Sequence, residues 1–432
     1  MSKTIKASDV FTPTKPPVDK HNIYIHRVKF ESKFKRAFER GATPVIFGDY
    51  GVGKTSLSLI SLDNLMGEDG LVIRMTDPDN KDISAVYKLA FEKLEYEVTV
   101  SETSGSGRNY SAEIQASANS SVGIGKLFEI LKVGVSASGK AEKSESETRE
   151  KQFLVSSPTE SKAIEVFSEN KVVFLIDELH RASDALKSQI AAAIKSCSDQ
   201  GLEFPKFILC GTSSDAGKIA EINQGVDRLI NEIKVPPLTR EESEKIVVNG
   251  FDVLGVNYEK ELPERVAGVA GGAPSLVHSI ALELAESALS TNQVIDADHL
   301  REALSEVIEQ GQNERMLQAY NRAINHKGSK RYRKHILTVM ASSDETYVTT
   351  GELAEGVSKI LREEVPQTVI SGPLRDLKSE RYGSILSNPL MVDGREQQNQ
   401  SCFSQPQMKS YIRFLLKVSD SGVDVTRDGV AG

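Results

Sequence analysis

The sequence of 432 residues predicts an α/β fold in which helices cover both faces of a parallel sheet. Short apolar runs at residues 45–47, 172–176 and 207–210 carry this prediction. Continuous apolar runs of this length are typical of strands that are buried on both faces. Helical patterns lie between the runs, so we expect strands and helices to alternate along the chain.

Composition limits the class of protein. The chain is 39% apolar and 26% charged, as in globular proteins, and it is long enough for two or three domains. No apolar run approaches the roughly 18 residues of a membrane span, and the first residues lack the apolar centre of a secretion signal. We therefore expect a cytoplasmic protein whose cysteines, Cys197, Cys210 and Cys402, are thiols. The net charge of −8 argues against a uniformly basic surface but leaves a local basic patch open.

A glycine-rich loop follows the first apolar run. Residues 48–55 match G-x-x-x-x-G-K-T, and a helical pattern comes next. In such a loop, backbone N–H groups surround the β-phosphate of ATP, Lys54 reaches the β- and γ-phosphates, and the Thr55 hydroxyl binds Mg²⁺. The predicted ATP site comprises Gly48, Asp49, Tyr50, Gly51, Val52, Gly53, Lys54, Thr55 and Ser56.

Acidic and polar residues end the next two apolar runs. Asp177 is predicted to hold the Mg²⁺ and Glu178 to deprotonate the attacking water, unless these acids only cap the next helix. Thr212 and Ser213 follow residues 207–210, where either hydroxyl could contact the γ-phosphate or the water. A purely structural turn is an equally good interpretation of that pair.

These motifs are spread over residues 44–235 and end with Arg228, before a strand expected at 233–235. Their order resembles that of the motifs in AAA+ ATPases. The resemblance implies Mg²⁺-dependent hydrolysis of ATP to ADP and phosphate. It also implies that Arg228 reaches the γ-phosphate bound by a neighbouring subunit, so that the protein forms a homo-oligomer. Alternatively, Arg228 pairs with Glu232 or with solvent.

Two further motifs are similar to those of replication-initiator and STAND ATPases. One is their arginine box, which Ile25-His26-Arg27 and Glu31 match except that His26 replaces a glycine. This resemblance implies that Arg27 lies at the nucleotide. Gly272-Ala273-Pro274 matches the glycine-x-proline signature of STAND and archaeal-type ATPases and implies that Pro274 contacts the nucleotide or its pocket. Ser275 stands where many AAA+ proteins have a sensing arginine, which favours a slow switch over a fast motor. His278 could contact a phosphate instead, but packing is the more ordinary role of such a histidine.

After residue 235 the pattern becomes helical. A capping box at Thr239 and Glu242 begins a run of helices at 236–312 that resembles the family's helical lid. Residues 313–395 resemble a winged helix, and 396–432 predict one more helix and a tail. If the winged-helix module binds DNA, Gln367, Thr368 and Arg375 would face the major groove, and Lys378 and Arg381 would touch phosphates. Because residues 327–395 hold eleven Lys and Arg against nine Asp and Glu, a protein partner is equally plausible.

An insertion at 101–150 interrupts the core. Its pair Gly125-Lys126 is not a second phosphate loop, because Leu127 follows the lysine. Alternating patterns near 110–118 and 127–138 predict a β-hairpin that contacts a subunit or a partner. The alternatives for this insertion are a disordered loop and a membrane-inserting hairpin.

The predicted organisation is thus an N-terminal arm (1–25), an ATPase core (26–235), a helical lid (236–312), a winged-helix module (313–395), and a C-terminal helix and tail (396–432). The resemblance implies a slow ATP-dependent switch that docks DNA or a partner protein, in a setting such as anti-phage defence or a mobile element. The alternative is a nucleotide-stabilised scaffold that regulates a separate effector protein without significant turnover.

Overall fold

A computed structural model gives the fold of two compact units. One comprises Arg27–Phe47 and Lys54–Lys234, and we call it the α/β unit; the other comprises Met1–His26, Gly48–Gly53 and Val235–Gly432, and we call it the helical unit. The structure describes residues 5–17, 19, 21–67, 69–94, 96–101, 111–116, 152–154, 160–211, 225–291, 293–325, 332–343, 345, 347–389, 397–405 and 407–420.

A parallel sheet of order β2-β6-β7-β1-β8 forms the centre of the α/β unit. Its strands pair in register, for example Ile73 with Phe174 and Val45 with Leu209. The described strands of the unit are β1 (Thr43–Phe47), β2 (Leu71–Met75), β3 (Tyr96–Ser101), β4 (Ser111–Ala116), β5 (Gln152–Leu154), β6 (Val172–Ile176), β7 (Lys206–Gly211) and β8 (Ile230–Lys234). The last strand begins three residues earlier than residues 233–235, where the sequence placed it.

Helices cover this sheet because their apolar sides face it. The described helices are α2 (Val28–Glu39), α3 (Lys54–Met66), α4 (Ile83–Lys93), α5 (Glu160–Glu169) and α6 (Asp184–Asp199). Phe174 of β6 is fully buried, and its ring lies 5.3 Å from that of Phe167 on α5 and 5.8 Å from that of Tyr87 on α4. The predicted parallel sheet covered by helices is confirmed.

The insertion contributes a separate antiparallel sheet of order β3-β4-β5. Its middle strand, β4, lies within the predicted run 110–118, but its partners differ from the prediction. Ile114 of β4 pairs with Val98 of β3 on one edge and with Leu154 of β5 on the other. A strand has only two edges, so β4 cannot also pair with the run 127–138 as predicted; that run lies outside the described residues.

The helical unit begins with the N-terminal arm, which includes α1 (Ala7–Val10), and continues in the lid. The lid helices are α7 (Arg240–Leu254), α8 (Leu262–Ala270), α9 (Pro274–Thr291) and α10 (Ala297–Glu309). The predicted capping box starts α7: the Thr239 hydroxyl accepts the Glu242 N–H at 3.1 Å, and the Glu242 carboxylate accepts the Thr239 N–H at 2.8 Å. The helical region after residue 235 is therefore as the sequence predicts.

The N-terminal arm belongs to the core of this unit. The Phe11 ring lies 5.8 Å from that of Phe251, and a Cβ on Gly250 would come within 2.2 Å of Phe11. The Thr12 N–H donates to Nδ1 of His278 at 3.1 Å, and burial lowers the pKa of His278 to about 4. His278 is therefore a neutral, packed side chain, and the phosphate contact considered for it is not made in this fold.

The remaining elements form a winged helix, as predicted, and the C-terminal helix. They are α11 (Gly311–Ile324), α12 (Tyr332–Ser342), β9 (Val348–Thr349), α13 (Thr350–Leu361), α14 (Gln367–Leu377), β10 (Leu386–Ser387), β11 (Gln400–Phe403) and α15 (Gln407–Asp420). The strands make an antiparallel sheet of order β10-β11-β9, in which the β10–β11 pair is the wing. The second strand of the wing, Gln400–Phe403, lies beyond residue 395, where the predicted module ends. A buried Arg333 pairs with Asp376 at 3.1 Å and joins α12 to α14. Across the described part of the chain, no helix has the length and apolar character that crossing a bilayer requires.

Candidate functional site

The glycine loop Gly48–Gly53 has the curled backbone that its motif predicts. Gly48, Gly51 and Gly53 have φ values of 155°, 79° and 90°, in the region that favours glycine. A Cβ on Gly48 would lie 2.3 Å from the carbonyl oxygen of Val235, so no larger residue fits there. The loop is thus shaped to turn successive N–H groups toward a bound anion.

The predicted glycine-x-proline signature lies beside this loop. A Cβ on Gly53 would be 3.7 Å from Cγ of Pro274, and one on Gly51 would be 3.0 Å from the Ser275 hydroxyl. Gly272, with φ of 80°, allows the turn, because a Cβ there would come 2.5 Å from the Leu238 carbonyl oxygen. Pro274 therefore lies where the resemblance implies, and its contact with a nucleotide stays a prediction.

The second residue of the loop, Asp49, is bound by the C-terminal helix. Nη1 of Arg413 lies 2.9 Å from one carboxylate oxygen of Asp49, and Nζ of Lys409 lies 3.3 Å from the other. The Ser410 hydroxyl donates to the Tyr50 carbonyl oxygen at 3.0 Å. The sequence analysis missed these contacts, since nothing local to either segment links it to the other.

In the α/β unit, the two predicted metal ligands come together. Lys54 begins α3, and the Thr55 hydroxyl donates to a carboxylate oxygen of Asp177 at 2.8 Å. Asp177 is buried at the end of β6, where its N–H donates to the Met75 carbonyl oxygen at 2.9 Å.

A hydroxyl and a carboxylate are oxygen donors of the kind that Mg²⁺ prefers. Within the ranges that the structure describes, there is no cluster of three or more His, Cys, Asp or Glu suited to a metal. The residues present therefore fit a metal whose other ligands are phosphate and water oxygens, as in phosphate-loop sites.

Arg74 is a functional candidate that the sequence analysis missed. Its Nη2 lies 2.7 Å from the same Asp177 oxygen that accepts the Thr55 hydroxyl, and its side chain is only 17% exposed. A charge inside the apolar strand "LVIRM" was the available signal, because a buried arginine needs an acidic partner. Arg74 thus fixes the position of the Asp177 carboxylate.

Glu178 lies beside this pair in a strained backbone. Its φ of 53° and ψ of 39° are left-handed, a conformation that costs a non-glycine residue about 1 kcal/mol or more. Its N–H donates to Asp177 at 3.1 Å, and its carboxylate is 3.3 Å from Nε2 of His180. Such strain is common at active sites, so the position is consistent with the predicted catalytic acid-base role.

Cys210 is the second-last residue of the neighbouring strand β7 and is a thiol, as predicted. Its sulfur is 3.2 Å from the Ser58 hydroxyl, and burial raises the pKa of Cys210 to about 12. Thr212 and Ser213, predicted to follow it toward the phosphate, lie outside the described residues. Ser56 lies in the first turn of α3.

The two arginines predicted to lie near a nucleotide, Arg27 and Arg228, differ in their exposure to solvent. Arg27 is buried at the start of α2, its N–H donates to Glu31 at 2.8 Å, and its guanidinium lies 4.8 Å from the centre of the Phe30 ring. Arg228 is exposed on a short 3₁₀ helix, Asp227–Leu229, immediately before β8. The arginine-box pair is therefore formed, and Arg228 is accessible to another molecule.

Of the five winged-helix residues predicted to contact DNA or a partner, four are exposed and Lys378 is bound within the module. Gln367, Thr368 and Arg375 are exposed on α14, and Arg381 is exposed just beyond it. Lys378 differs, because its Nζ donates to the Asn388 side chain and lies 3.5 Å from the Gln400 carbonyl oxygen. The Lys378 ammonium is therefore held by its own module, and fewer of its N–H groups are left to contact a phosphate.

The structure resembles several solved structures. Cdc6p from Pyrobaculum aerophilum is 12% identical, with 96% of this chain and 99% of that chain covered and a TM-score of 0.46. The ORC2 protein of Aeropyrum pernix, solved as ADPNP-ADP complexes, is 11% identical, with 96% and 100% covered and a TM-score of 0.47. The RuvB Holliday junction branch migration motor of Thermotoga maritima is 14% identical, with 89% and 94% covered and a TM-score of 0.41.

No protein-family profile matches the chain. The search of curated proteins also gave no match. The chain's own topology decides the class: a five-stranded parallel sheet, the glycine loop directly after β1, and Asp177 directly after β6. With helices and a winged helix after the sheet, the chain has the α/β P-loop fold that its sequence predicts.

Proposed function

We propose that this protein is a Mg²⁺-dependent ATPase that hydrolyses ATP slowly and acts as a nucleotide-controlled switch. The observation that carries the proposal is the hydrogen bond of 2.8 Å between the Thr55 hydroxyl and Asp177. It joins the last residue of the phosphate-loop motif to the acidic strand end, which is the arrangement that a nucleotide-bound Mg²⁺ requires.

Each residue has a defined task in this proposal. The loop N–H groups and Lys54 bind the phosphates, while Thr55 and Asp177 hold the metal, which supplies charge neutralisation of the phosphates. The Glu178 carboxylate accepts the proton of the attacking water, and Pro274 borders the loop. Arg27 lies at the nucleotide, as in the family that its motif resembles, and Thr212 or Ser213 contacts the γ-phosphate.

Slow turnover is supported by two features of the site. Ser275, the residue beside Gly51, offers a neutral hydroxyl where a sensing arginine would supply a positive charge in transition-state stabilisation. Glu178 lies 3.3 Å from His180, and this contact competes with a water molecule for its carboxylate. Both features favour a protein that holds its nucleotide for a long time.

ATP-dependent assembly is the second part of the proposal. Arg228 is exposed, and among the described residues no ion pair joins it to Glu232. An exposed arginine that is not paired with Glu232 can reach the γ-phosphate bound by another copy of the chain. Particle mass measured with a non-hydrolysable ATP analogue, for the wild type and for Arg228→Ala, tests this: the wild type grows and the variant does not.

The exposed surface of α14 supports a protein partner more than DNA. Val369 is 40% exposed there and Ile360 on α13 is 41% exposed, while Glu363 and Glu364 add negative charge between the two helices. DNA binding depends on many phosphate contacts from cations, which this face lacks. A role in anti-phage defence or in a mobile element rests on the family resemblance alone.

The deciding experiment measures ATP binding and phosphate release for the wild type and Glu178→Gln. We expect the variant to bind ATP as the wild type does and to release phosphate about 100-fold more slowly. Glu92→Gln, an exposed substitution of the same type in the same unit, is the control and should leave both properties unchanged. A wild type that binds ATP but never turns over, even with DNA or a partner present, would favour the scaffold alternative.

A further inference from the structure

The C-terminal helix α15 contacts the phosphate loop through two cations. Lys409 and Arg413 are one helical turn apart, and both pair with the Asp49 carboxylate, at 3.3 and 2.9 Å. The three side chains are largely shielded from water, with exposed fractions of 8% for Lys409, 22% for Arg413 and 20% for Asp49. Shielded charges interact strongly, so these pairs differ from ordinary surface salt bridges.

The same cations also bind the start of the winged helix. Nη2 of Arg413 donates to the Ser343 carbonyl oxygen at 2.8 Å, and its Nε donates to that of Ala341. Nζ of Lys409 donates to the Glu345 carbonyl oxygen at 3.1 Å. Each cation therefore joins the loop carboxylate to the backbone at the end of α12, a helix of the winged-helix module.

Asp49 presents an electrostatic difficulty for the proposed nucleotide site. A loop that binds a polyanion carries a carboxylate of its own, and like charges at short range repel. Two cations held against that carboxylate more than offset its negative charge. The Ser410–Tyr50 hydrogen bond of 3.0 Å helps to fix the loop backbone. The loop can then present its N–H groups without the repulsion.

We propose that Lys409 and Arg413 are positioning residues for the phosphate loop, which neutralise Asp49 and make nucleotide affinity depend on the docking of α15. The inference rests on the proposed nucleotide site. Because linkage is reciprocal, a nucleotide that binds better to the docked form stabilises the docking of α15 by the same factor. A partner that takes hold of the winged helix or of α15 would thereby change nucleotide affinity.

The test measures the affinity of a fluorescent ATP analogue, with folding checked by circular dichroism. We expect Lys409→Gln/Arg413→Gln to bind about tenfold more weakly than the wild type, because Asp49 loses the two cations that pair with it. Adding Asp49→Asn to that variant removes the repulsion and should restore most of the affinity. A merely structural role for the two cations would give no such rescue.

Lys417→Gln is the matched control on the same helix. Lys417 donates to the Gly268 carbonyl oxygen at 3.0 Å, so this variant removes one exposed contact of α15 and leaves the two pairs with Asp49 in place. It should bind the analogue within about twofold of the wild type. Equal losses in the control and the double variant, or an absence of rescue, would overturn the positioning role while leaving the nucleotide site intact.

Hydrogen exchange on the wild type gives a measurement that needs no variant. Amides of residues 407–420 should exchange several times more slowly when the analogue is bound, by the reciprocity stated above. Unchanged exchange at saturating analogue would contradict the coupling. A wild type that does not bind the analogue at all would overturn this inference and the proposed function together.

Discussion

Two aspartates, Asp177 in the α/β unit and Asp49 in the helical unit, are both paired with an arginine, yet their partners have different origins. Arg74 and Thr55, the partners of Asp177, lie on a neighbouring strand and on the helix that follows the glycine loop. The partners of Asp49 come from the C-terminal helix, 360 and 364 residues away. The first pairing lies within the proposed metal site, and the second joins the glycine loop to the C-terminal helix.

The largest expected effect is at Asp177. Asp177→Asn removes the charge that holds the metal, and we expect ATP hydrolysis to fall about 100-fold. Phosphate release at saturating Mg²⁺ and ATP measures the loss. Asp199→Asn, an exposed position in the same unit, is the control. Wild-type turnover by Asp177→Asn would mean that the metal is held elsewhere.

A substitution at Arg74 measures how much the Arg74–Asp177 pair contributes to the stability of the fold, apart from its part in hydrolysis. Arg74→Ala leaves the buried Asp177 carboxylate with a single hydrogen-bonded side chain, Thr55, and should lower the free energy of unfolding by about 2–3 kcal/mol. Urea denaturation measures the change. The control is Arg240→Ala, which breaks a pair with Glu264 in which both side chains are 55% exposed and should cost about 1 kcal/mol or less. Equal costs would show that the Arg74 pair is an ordinary surface contact.

Local patterns in the sequence predicted the parts of the fold that depend on neighbouring residues. The continuous apolar run before Asp177 predicted a buried parallel strand, and the spacing of glycines predicted the curled loop. Alternation near 110–118 identified β4 correctly but gave it the wrong partner, because alternation does not encode which strand lies alongside. Arg413 and Arg74 were missed for the same reason, since their acids are remote in sequence.

The stability of the helical unit should depend on pH through His278. Its pKa is lowered from 6.5 to about 4 by burial, so the folded ring stays neutral while the unfolded chain gains a proton below pH 6.5. The free energy of unfolding should therefore fall as pH drops from 6.5 toward 4, by at most about 3 kcal/mol. His278→Gln should make the urea midpoint nearly independent of pH over this window. A substitution at the exposed His21, His21→Gln, should leave the pH dependence as in the wild type. A wild type with no such slope would show that His278 is accessible to protons.

The smallest expected effect concerns the exposed face of α14. Arg375→Ala should change the affinity for a DNA duplex at low salt by about threefold or less, because one phosphate contact contributes little to a face with few cations. A gel-shift titration measures it. A salt-dependent complex that Arg375→Ala abolishes would instead favour DNA over a protein partner.

The account as a whole depends on ATP binding at the phosphate loop. Titration calorimetry of Mg²⁺ and ATP with the wild type and Lys54→Ala tests this most directly, since the proposed site places the lysine at the phosphates. We expect one ATP bound per wild-type chain and an affinity at least about 30-fold weaker in Lys54→Ala, with the fold unchanged. Equal binding by the two proteins, or no heat of binding with the wild type, would contradict the account.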